Sequence, residues 1–418
     1  MNVEMQSMKD NEVWVLVELP PNGKTVGSKW LFKKKTDLDR NVHIYKARLV
    51  VKGYTQTPRI DYEETFSPVA DIRAIRILIS IAMYYDYEIW QVDIKTTFLN
   101  GYLNEEVYME QPEGFVNLKY PNRVCKLKRS IYGLKQASRQ WNKRFDDEIT
   151  KFGFIQNRDE PCVYQKASGS NITFLIFYVD DILIMENGIP MLQSVKTYLG
   201  KCFAMKDLEH NKPISKNPGD IHWTTVKNIL KYLRNTKDMF LVYGGDKKQE
   251  LRVFCYTDAG YLTDADDLKS QTGYVFILNG GAVDWKSAKQ SIFATSSVEV
   301  KYTAAFDASK EAVWVRKFIS GLRVVPTIEE PISMYCDNTG AIAIANESGI
   351  TKGARHFRVK VHYLREVIEL GDINLEKVHT DDNLADPFTK VLAFPKLYEH
   401  TKNIGMLPAS SLMQICVY

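Results

Sequence analysis

Hydrophobic and polar positions along the chain change period in a way that separates strands from helices. Stretches of alternating or continuous apolar residues rich in β-formers predict strands over 29–34, 47–51, 88–94, 172–179 and 182–185. Helical spacing marks 70–84, and again 140–152, where Trp141, Phe145, Ile149 and Phe152 fall on one face. Residues 209–219, EHNKPISKNPG, are polar with two prolines and read as a linker. Beyond it a helix is predicted at 224–234, then strands at 251–257, 274–278 and 282–286. A long helix over 299–322 follows, then a strand at 332–336, a helix near 359–369 and a strand at 374–378. The pattern is that of two α+β modules joined near residue 215, with no internal repeat and no low-complexity tract.

Composition narrows the class. With 418 residues, 45% hydrophobic and 25% charged, the chain can bury a sizeable core, and disordered or collagen-like chains are excluded. Net charge is only +4, so a nucleic-acid role has to come from the distribution of charge. That distribution is uneven: ten basic against two acidic residues over 24–59, seven acidic against one lysine over 86–113, then ten basic against three acidic over 119–151. Such a series suits solvated faces, and equally a cation-holding centre flanked by grips on a polyanion. The six cysteines are scattered without a C-x-x-C pair, which argues against a zinc site or disulfide framework and fits a reducing, intracellular setting. There is no signal-peptide pattern, and the longest apolar run is too short and too interrupted by charge to span a bilayer.

Two sets of carboxylates carry the candidate chemistry. In ITFLIFYVDDILIM two apolar strands meet at Asp180 and Asp181, a hairpin with adjacent charges beside a buried ribbon. A plain turn tolerates Asp, but paired aspartates there favour a neutralising cation. Asp93, in IWQVDIKTTFLNG, would complete three carboxylates able to hold two Mg²⁺ ions for phosphoryl transfer. Asp258, Asp337 and Asp386 lie at strand ends or a helix start in the second module. Each alone is commonplace; together with an acidic residue on the long helix they have the makings of a two-metal nuclease.

The tetrapeptide Tyr178-Val179-Asp180-Asp181 resembles the YxDD motif of reverse transcriptases. The runs KWLFKKK, YKARLVVKGYTQ, DYEETFSPVA, WQVDIKTTFLNGYLNEEVYMEQPEGF and LKRSIYGLKQASRQW are similar to the copia-type retrotransposon polymerase, almost unbroken from Trp14 to Leu208. That resemblance implies reverse-transcriptase fingers and palm over 11–210, with Asp93, Asp180 and Asp181 as catalytic metal ligands. It also implies Phe98 screening the nucleotide 2′-hydroxyl, Gln136 positioning the nucleotide, and Lys46 and Arg48 contacting the triphosphate. The order YTDA, TGYVF, SSVEVKYTAA, YCDNTGAIAIA, RHFRVKVHYLRE, LADPFTK resembles the RNase H domain that follows in the same elements. It implies an RNase H-like α/β domain over 246–395, with Asp258, Asp337 and Asp386 as metal ligands and Glu299 as the remaining acidic catalytic candidate. The segment 211–245 would be linker and connection remnant, and 396–418 a tail.

Two departures from the family pattern stand out. The better match to the catalytic glutamate is Lys301, which would repel cations, so the expectation is weak or absent RNase H activity. Only residues 182–257 separate the two aspartate sets, leaving the thumb and connection largely missing, as in an internal deletion that would impair processive synthesis. His356 and His362 read as positioning residues and His379 as a surface histidine. Without protease or integrase text, the chain reads as part of a transposable-element Pol polyprotein. The implied cofactor is Mg²⁺ or Mn²⁺. The implied partners are an RNA template, a DNA primer, an RNA/DNA hybrid and deoxynucleoside triphosphates, without a membrane, in a cytoplasmic particle or the nucleus. The rivals are a non-enzymatic relic that at most binds nucleic acid, and a nuclease only.

Overall fold

The computed structural model describes residues 1–36, 42–207, 238–263, 268–291, 294–347, 357–408 and 411. The linker 209–219, the helix expected at 224–234 and His356 lie outside the described residues. The chain divides into two compact units. The first holds residues 1–70, 89–156 and 161–210; the second holds 71–88, 157–160 and 211–418. The helix Ile72–Tyr84 therefore belongs with the second unit, although the motif spacing groups it with the first.

The first unit is built around a sheet ordered Met205–Asp207, Glu88–Ile94, Asp181–Glu186, Asn171–Tyr178, Val163–Ser168, Ile155–Gln156. Asn171–Tyr178 pairs antiparallel with Asp181–Glu186, Tyr178 opposite Asp181, so the turn consists of Val179 and Asp180 alone. Its apolar side chains are buried from Thr173 to Phe177, as the continuous apolar run demands. The amphipathic helix Ala137–Lys151 supplies the cover: Trp141 and Phe145 are sealed, and Phe145 stacks on Phe177 at 4.3 Å. A second helix, Ile189–Cys202, which the residue pattern did not single out, adds Leu192, Val195 and Leu199 to the buried set.

Before the sheet in sequence, Ser28–Thr36 and Val42–Val51 form a long antiparallel hairpin. Four short strands, Trp14–Val17, Val124–Leu127, Tyr108–Met109 and Thr25–Val26, form a separate small sheet. The hairpin base is locked by two glycines. A Cβ on Gly133 (φ +95°) would meet the Val51 carbonyl at 2.2 Å, and one on Gly53 would meet the Gly133 carbonyl at 1.9 Å. Only glycine lets these backbones approach so closely.

The second unit carries a five-stranded sheet ordered Gly281–Lys289, Gln271–Leu278, Val253–Gly260, Ile332–Cys336, Ile373–Lys377. The first three form an antiparallel meander; the last two run parallel to Val253–Gly260 and to each other. The helix Ser297–Leu322 crosses the sheet with buried Ala304, Ala305, Ala308 and Ala312, small residues that let helix and sheet approach closely. Tertiary structure extends past 395. Phe394–Asn403 is a helix, Met406–Pro408 pairs with Met239–Leu241, and Ile404 packs with Val275 and Ile277. The expected tail 396–418 thus begins inside structure. The fold is α+β: two units, each built on its own main sheet with helices packed against it.

Candidate catalytic carboxylates

In the first unit the sheet register assembles the first set. Asp93 lies on Glu88–Ile94, and the Ile94 N–H donates to the Asp180 carbonyl at 2.8 Å, which fixes the aspartate turn beside that strand. Gln91, two residues before Asp93 and so on the same strand face, donates its amide to Asp181 Oδ1 at 3.2 Å. The turn is strained: Val179 has φ +58°, a region β-branched residues rarely enter. Its carbonyl is held by the indole N–H of Trp141 at 2.7 Å, a bond that helps keep the turn in this shape. Asp180 is exposed and Asp93 and Asp181 half-buried.

Tyr132 is the hub that residue spacing alone did not reveal. Its ring meets Phe98 edge-on at 5.1 Å, and the Arg48 guanidinium lies 4.9 Å from its centroid. Burial pushes the Tyr132 hydroxyl pKa up; Arg48 opposes this, while Glu4, Asp180 and Asp93 add to it. Two sequence candidates, Arg48 and Phe98, thus meet on one ring. Lys46 is exposed on the hairpin, where it lines a groove of about 710 Å³ with Phe32, Lys33, Lys34 and Tyr45. Gln136, the expected nucleotide contact, lies inside the fold. Its side chain is fully buried, its Oε1 accepts from Gln56 at 3.2 Å and its Nε2 donates to the Asp61 carbonyl at 3.1 Å. With donor and acceptor both engaged, it ties two loops together.

The second unit brings its aspartates together around lysines. Asp258 lies near the end of the buried strand Val253–Gly260, and Asp337 directly follows the neighbouring parallel strand Ile332–Cys336. Lys301, one turn into the long helix, donates to Asp258 Oδ1 and to both oxygens of Asp337 at 2.7 and 2.9 Å. The Thr389 hydroxyl donates to the other Asp258 oxygen. Asp386 opens the turn Asp386–Phe388, is fully buried and pairs with Lys390 at 2.9 Å. Burial raises the Asp386 pKa, against the pull of Lys390.

Glu299, the remaining acidic catalytic candidate, lies in the first turn of the same helix as Lys301. Its carboxylate accepts the Thr295 N–H at 2.8 Å and hydroxyl at 3.0 Å, and the Glu299 N–H donates to Ser296 Oγ at 3.3 Å. Ser296 thus caps the helix, and the Glu299 side chain ties its start back to Thr295. His362 Nε2 accepts from Arg358 at 3.2 Å, and His379 Nδ1 accepts the Asp381 N–H at 3.2 Å on the surface.

The donor chemistry of the two sets differs accordingly. The palm set offers carboxylate oxygens alone, the ligands a hard divalent cation takes, with an amide as the partner of Asp181. The second set already has an ammonium between its oxygens and does not fit a divalent ion. Among the described residues no three His, Cys, Asp or Glu side chains stand close enough to hold a metal ion, and no helix is long and apolar enough to cross a membrane.

A family model described as reverse transcriptase (RNA-dependent DNA polymerase) matches residues 11–219. The retrovirus-related Pol polyprotein from transposon TNT 1-94 of Nicotiana tabacum is 33% identical over 502 residues, covering 97% of this chain and 37% of that protein. The Pol polyprotein from transposon RE2 of Arabidopsis thaliana is 29% identical, covering 97% of this chain and 34% of its own length. The chain thus spans little more than a third of these relatives. Among solved structures, prototype foamy virus protease-reverse transcriptase covers 94% of this chain at 10% identity and a TM-score of 0.29. The RNase H1 LC11 covers 33% at 15% identity and a TM-score of 0.25. Superpositions this loose add nothing to the sequence match.

Proposed function

Because this chain belongs to the reverse transcriptase (RNA-dependent DNA polymerase) family, as the reverse-transcriptase part of a retrotransposon Pol polyprotein, we propose that its first unit joins deoxynucleotides to a primer on an RNA template. The observation that carries the reading is the strand pairing that sets Asp93 beside the Asp180–Asp181 turn. Asp93, Asp180 and Asp181, whose side chains are not gathered into a metal-holding group as they stand, are the carboxylates that would hold Mg²⁺ or Mn²⁺, which when bound supplies activation of the attacking oxygen and stabilisation of the leaving one. The chain's own groups do the positioning. The strained Val179 turn, fixed by Trp141, orients the two aspartates. Phe98, braced on Tyr132, faces the sugar of the incoming deoxynucleoside triphosphate and disfavours a 2′-hydroxyl. Arg48, also held on Tyr132, and Lys46 offer cations to its phosphates. Gln136 acts indirectly, by holding the loop it shares with Gln56 and Asp61.

Synthesis by this copy is short. The alignment with the tobacco relative runs over 502 residues, more than the 418 of the whole chain, so that relative carries sequence this chain lacks. We place the loss between the two aspartate sets, where the family has thumb and connection, which removes phosphate contacts and weakens the hold on template and primer. The second unit is read as RNase H-like without nuclease activity, because Lys301 fills its acidic cluster. That argues against the nuclease-only alternative.

Extension of a DNA primer on an RNA template tests the reading. Addition of one to a few nucleotides in Mg²⁺ is expected, absent with Asp181→Asn. No addition at high enzyme concentration would remove the polymerase reading and leave a nucleic-acid-binding relic.

A further inference from the structure

Lys301 occupies the place in the second unit where the acidic cluster needs positive charge. Its ammonium is shared between Asp258 and both oxygens of Asp337. The three side chains are 13%, 1% and 6% exposed, so water contributes little to their solvation. Asp386 has its own cations, Lys390 at 2.9 Å and Lys396 at 3.9 Å. Every aspartate of the set is therefore neutralised from within the chain. The helix that presents Lys301 is fixed at its start by the Ser296 cap and the Glu299 bonds to Thr295, so the lysine is held by its scaffold rather than lodged by chance.

Resting on the reading of this unit as RNase H-like, we propose that Lys301 is a built-in counter-cation that takes over the neutralising role of divalent ions and makes the unit's folding independent of metal. The balance of charge explains why. Two buried carboxylates without a cation between them would repel each other and lose solvation together. A lysine contributed by the chain is present from the moment the unit folds, whereas a divalent ion must be bound from solution. The same ammonium repels any divalent ion approaching those oxygens. The unit thereby gives up a metal-dependent reaction and keeps a metal-independent scaffold.

Thermal unfolding of the full chain tests this, in a background carrying Asp180→Asn and Asp181→Asn so that the palm pair contributes nothing. The outcome is then separate from whether the polymerase reading holds. In that background Tm is expected to agree within about 1 °C between EDTA and Mn²⁺, since a folded state that binds no ion gains nothing from it. Adding Lys301→Ala is expected to lower Tm in EDTA by about 5 °C or more. Mn²⁺ should restore most of that loss, because the freed oxygens become a cation site. Lys301→Glu is expected to depend on Mn²⁺ still more strongly; if it does not fold in EDTA, folding on addition of Mn²⁺ reads the same dependence. An Mn²⁺ stabilisation of the Lys301 chain as large as that of Lys301→Ala would overturn the proposal. So would Lys301→Ala and Lys301→Glu chains that Mn²⁺ leaves unchanged.

Discussion

Two sets of aspartates, each assembled around neighbouring strands of one sheet, end in opposite states. Asp180 and Asp181 occupy an exposed and half-buried turn beside Asp93, and the described partner of Asp181 is the neutral amide of Gln91. Asp258, Asp337 and Asp386 are buried and bonded to Lys301 and Lys390. The difference teaches that carboxylate number and placement do not define a metal site. The group between the carboxylates does: an ammonium there satisfies the charge that would otherwise recruit an ion.

The largest expected effect separates the two sets by activity. Asp181→Asn should reduce nucleotide addition by about 1,000-fold or more if it removes a metal ligand. Asp337→Asn should leave single-nucleotide addition within about twofold, because its cluster takes no part in that reaction; an equal loss from both would erase the distinction.

Stability should split with opposite sign. Asp258→Asn leaves Lys301 short of a buried partner and should cost about 3–5 kcal/mol in urea unfolding. Asp180→Asn removes one of two adjacent like charges near the surface and should change stability by no more than about 0.5 kcal/mol, toward stabilisation. Destabilisation by Asp180→Asn comparable to that of Asp258→Asn would mean that the palm pair is also internally neutralised.

A smaller effect concerns the palm alone. Phe98→Ala should raise ribonucleotide use relative to deoxynucleotide use by about 10-fold to 100-fold, read from competing single additions, if Phe98 is the group that screens the sugar. Unchanged discrimination would detach Phe98 from the nucleotide and leave it as packing for Tyr132.

The smallest concerns another buried acid of the second unit. Burial pushes Asp284 up to about 6, against the pull of Arg73, 3.9 Å away. A carboxyl whose pKa is raised by folding favours the folded state as pH falls from above 6 toward its unfolded value of 3.8. Asp284→Asn should therefore stabilise the chain by about 1 kcal/mol or more at pH 7.5, with the gain shrinking as pH falls below about 6 and vanishing only near 3.8, where the acid is protonated in the unfolded chain as well. A gain that does not change between those pH values would show that Asp284 ionises normally.

Much of the layout was legible from residue pattern. The apolar runs around Asp180 and Asp181 could only be a buried hairpin, and the 3.6-residue spacing of Trp141, Phe145 and Ile149 matched the helix that covers it. The two-residue offset between Glu299 and Lys301 also indicated that both could not face the same cluster. Other features depend on contacts that local spacing does not encode. Gln136 is engaged by residues 56 and 61, far back in the chain, so its burial had no local signal. Tyr132 sits in the quoted run SIYGLKQ, but its importance comes from Arg48 and Phe98 arriving from elsewhere. Glu299 could have been recognised as structural, since Ser296 three residues before it is a helix-start signature. The grouping of Ile72–Tyr84 with the second unit was invisible because amphipathic spacing reports an apolar face and not its partner.

Counting Mn²⁺ bound to the full chain, by the loss of free-ion electron paramagnetic resonance signal, tests the contrast between the two aspartate sets most directly. Binding is predicted in the unmodified chain, retained with Asp337→Asn and lost with Asp180→Asn/Asp181→Asn. Binding that survives the palm substitutions and disappears with Asp337→Asn would contradict the account.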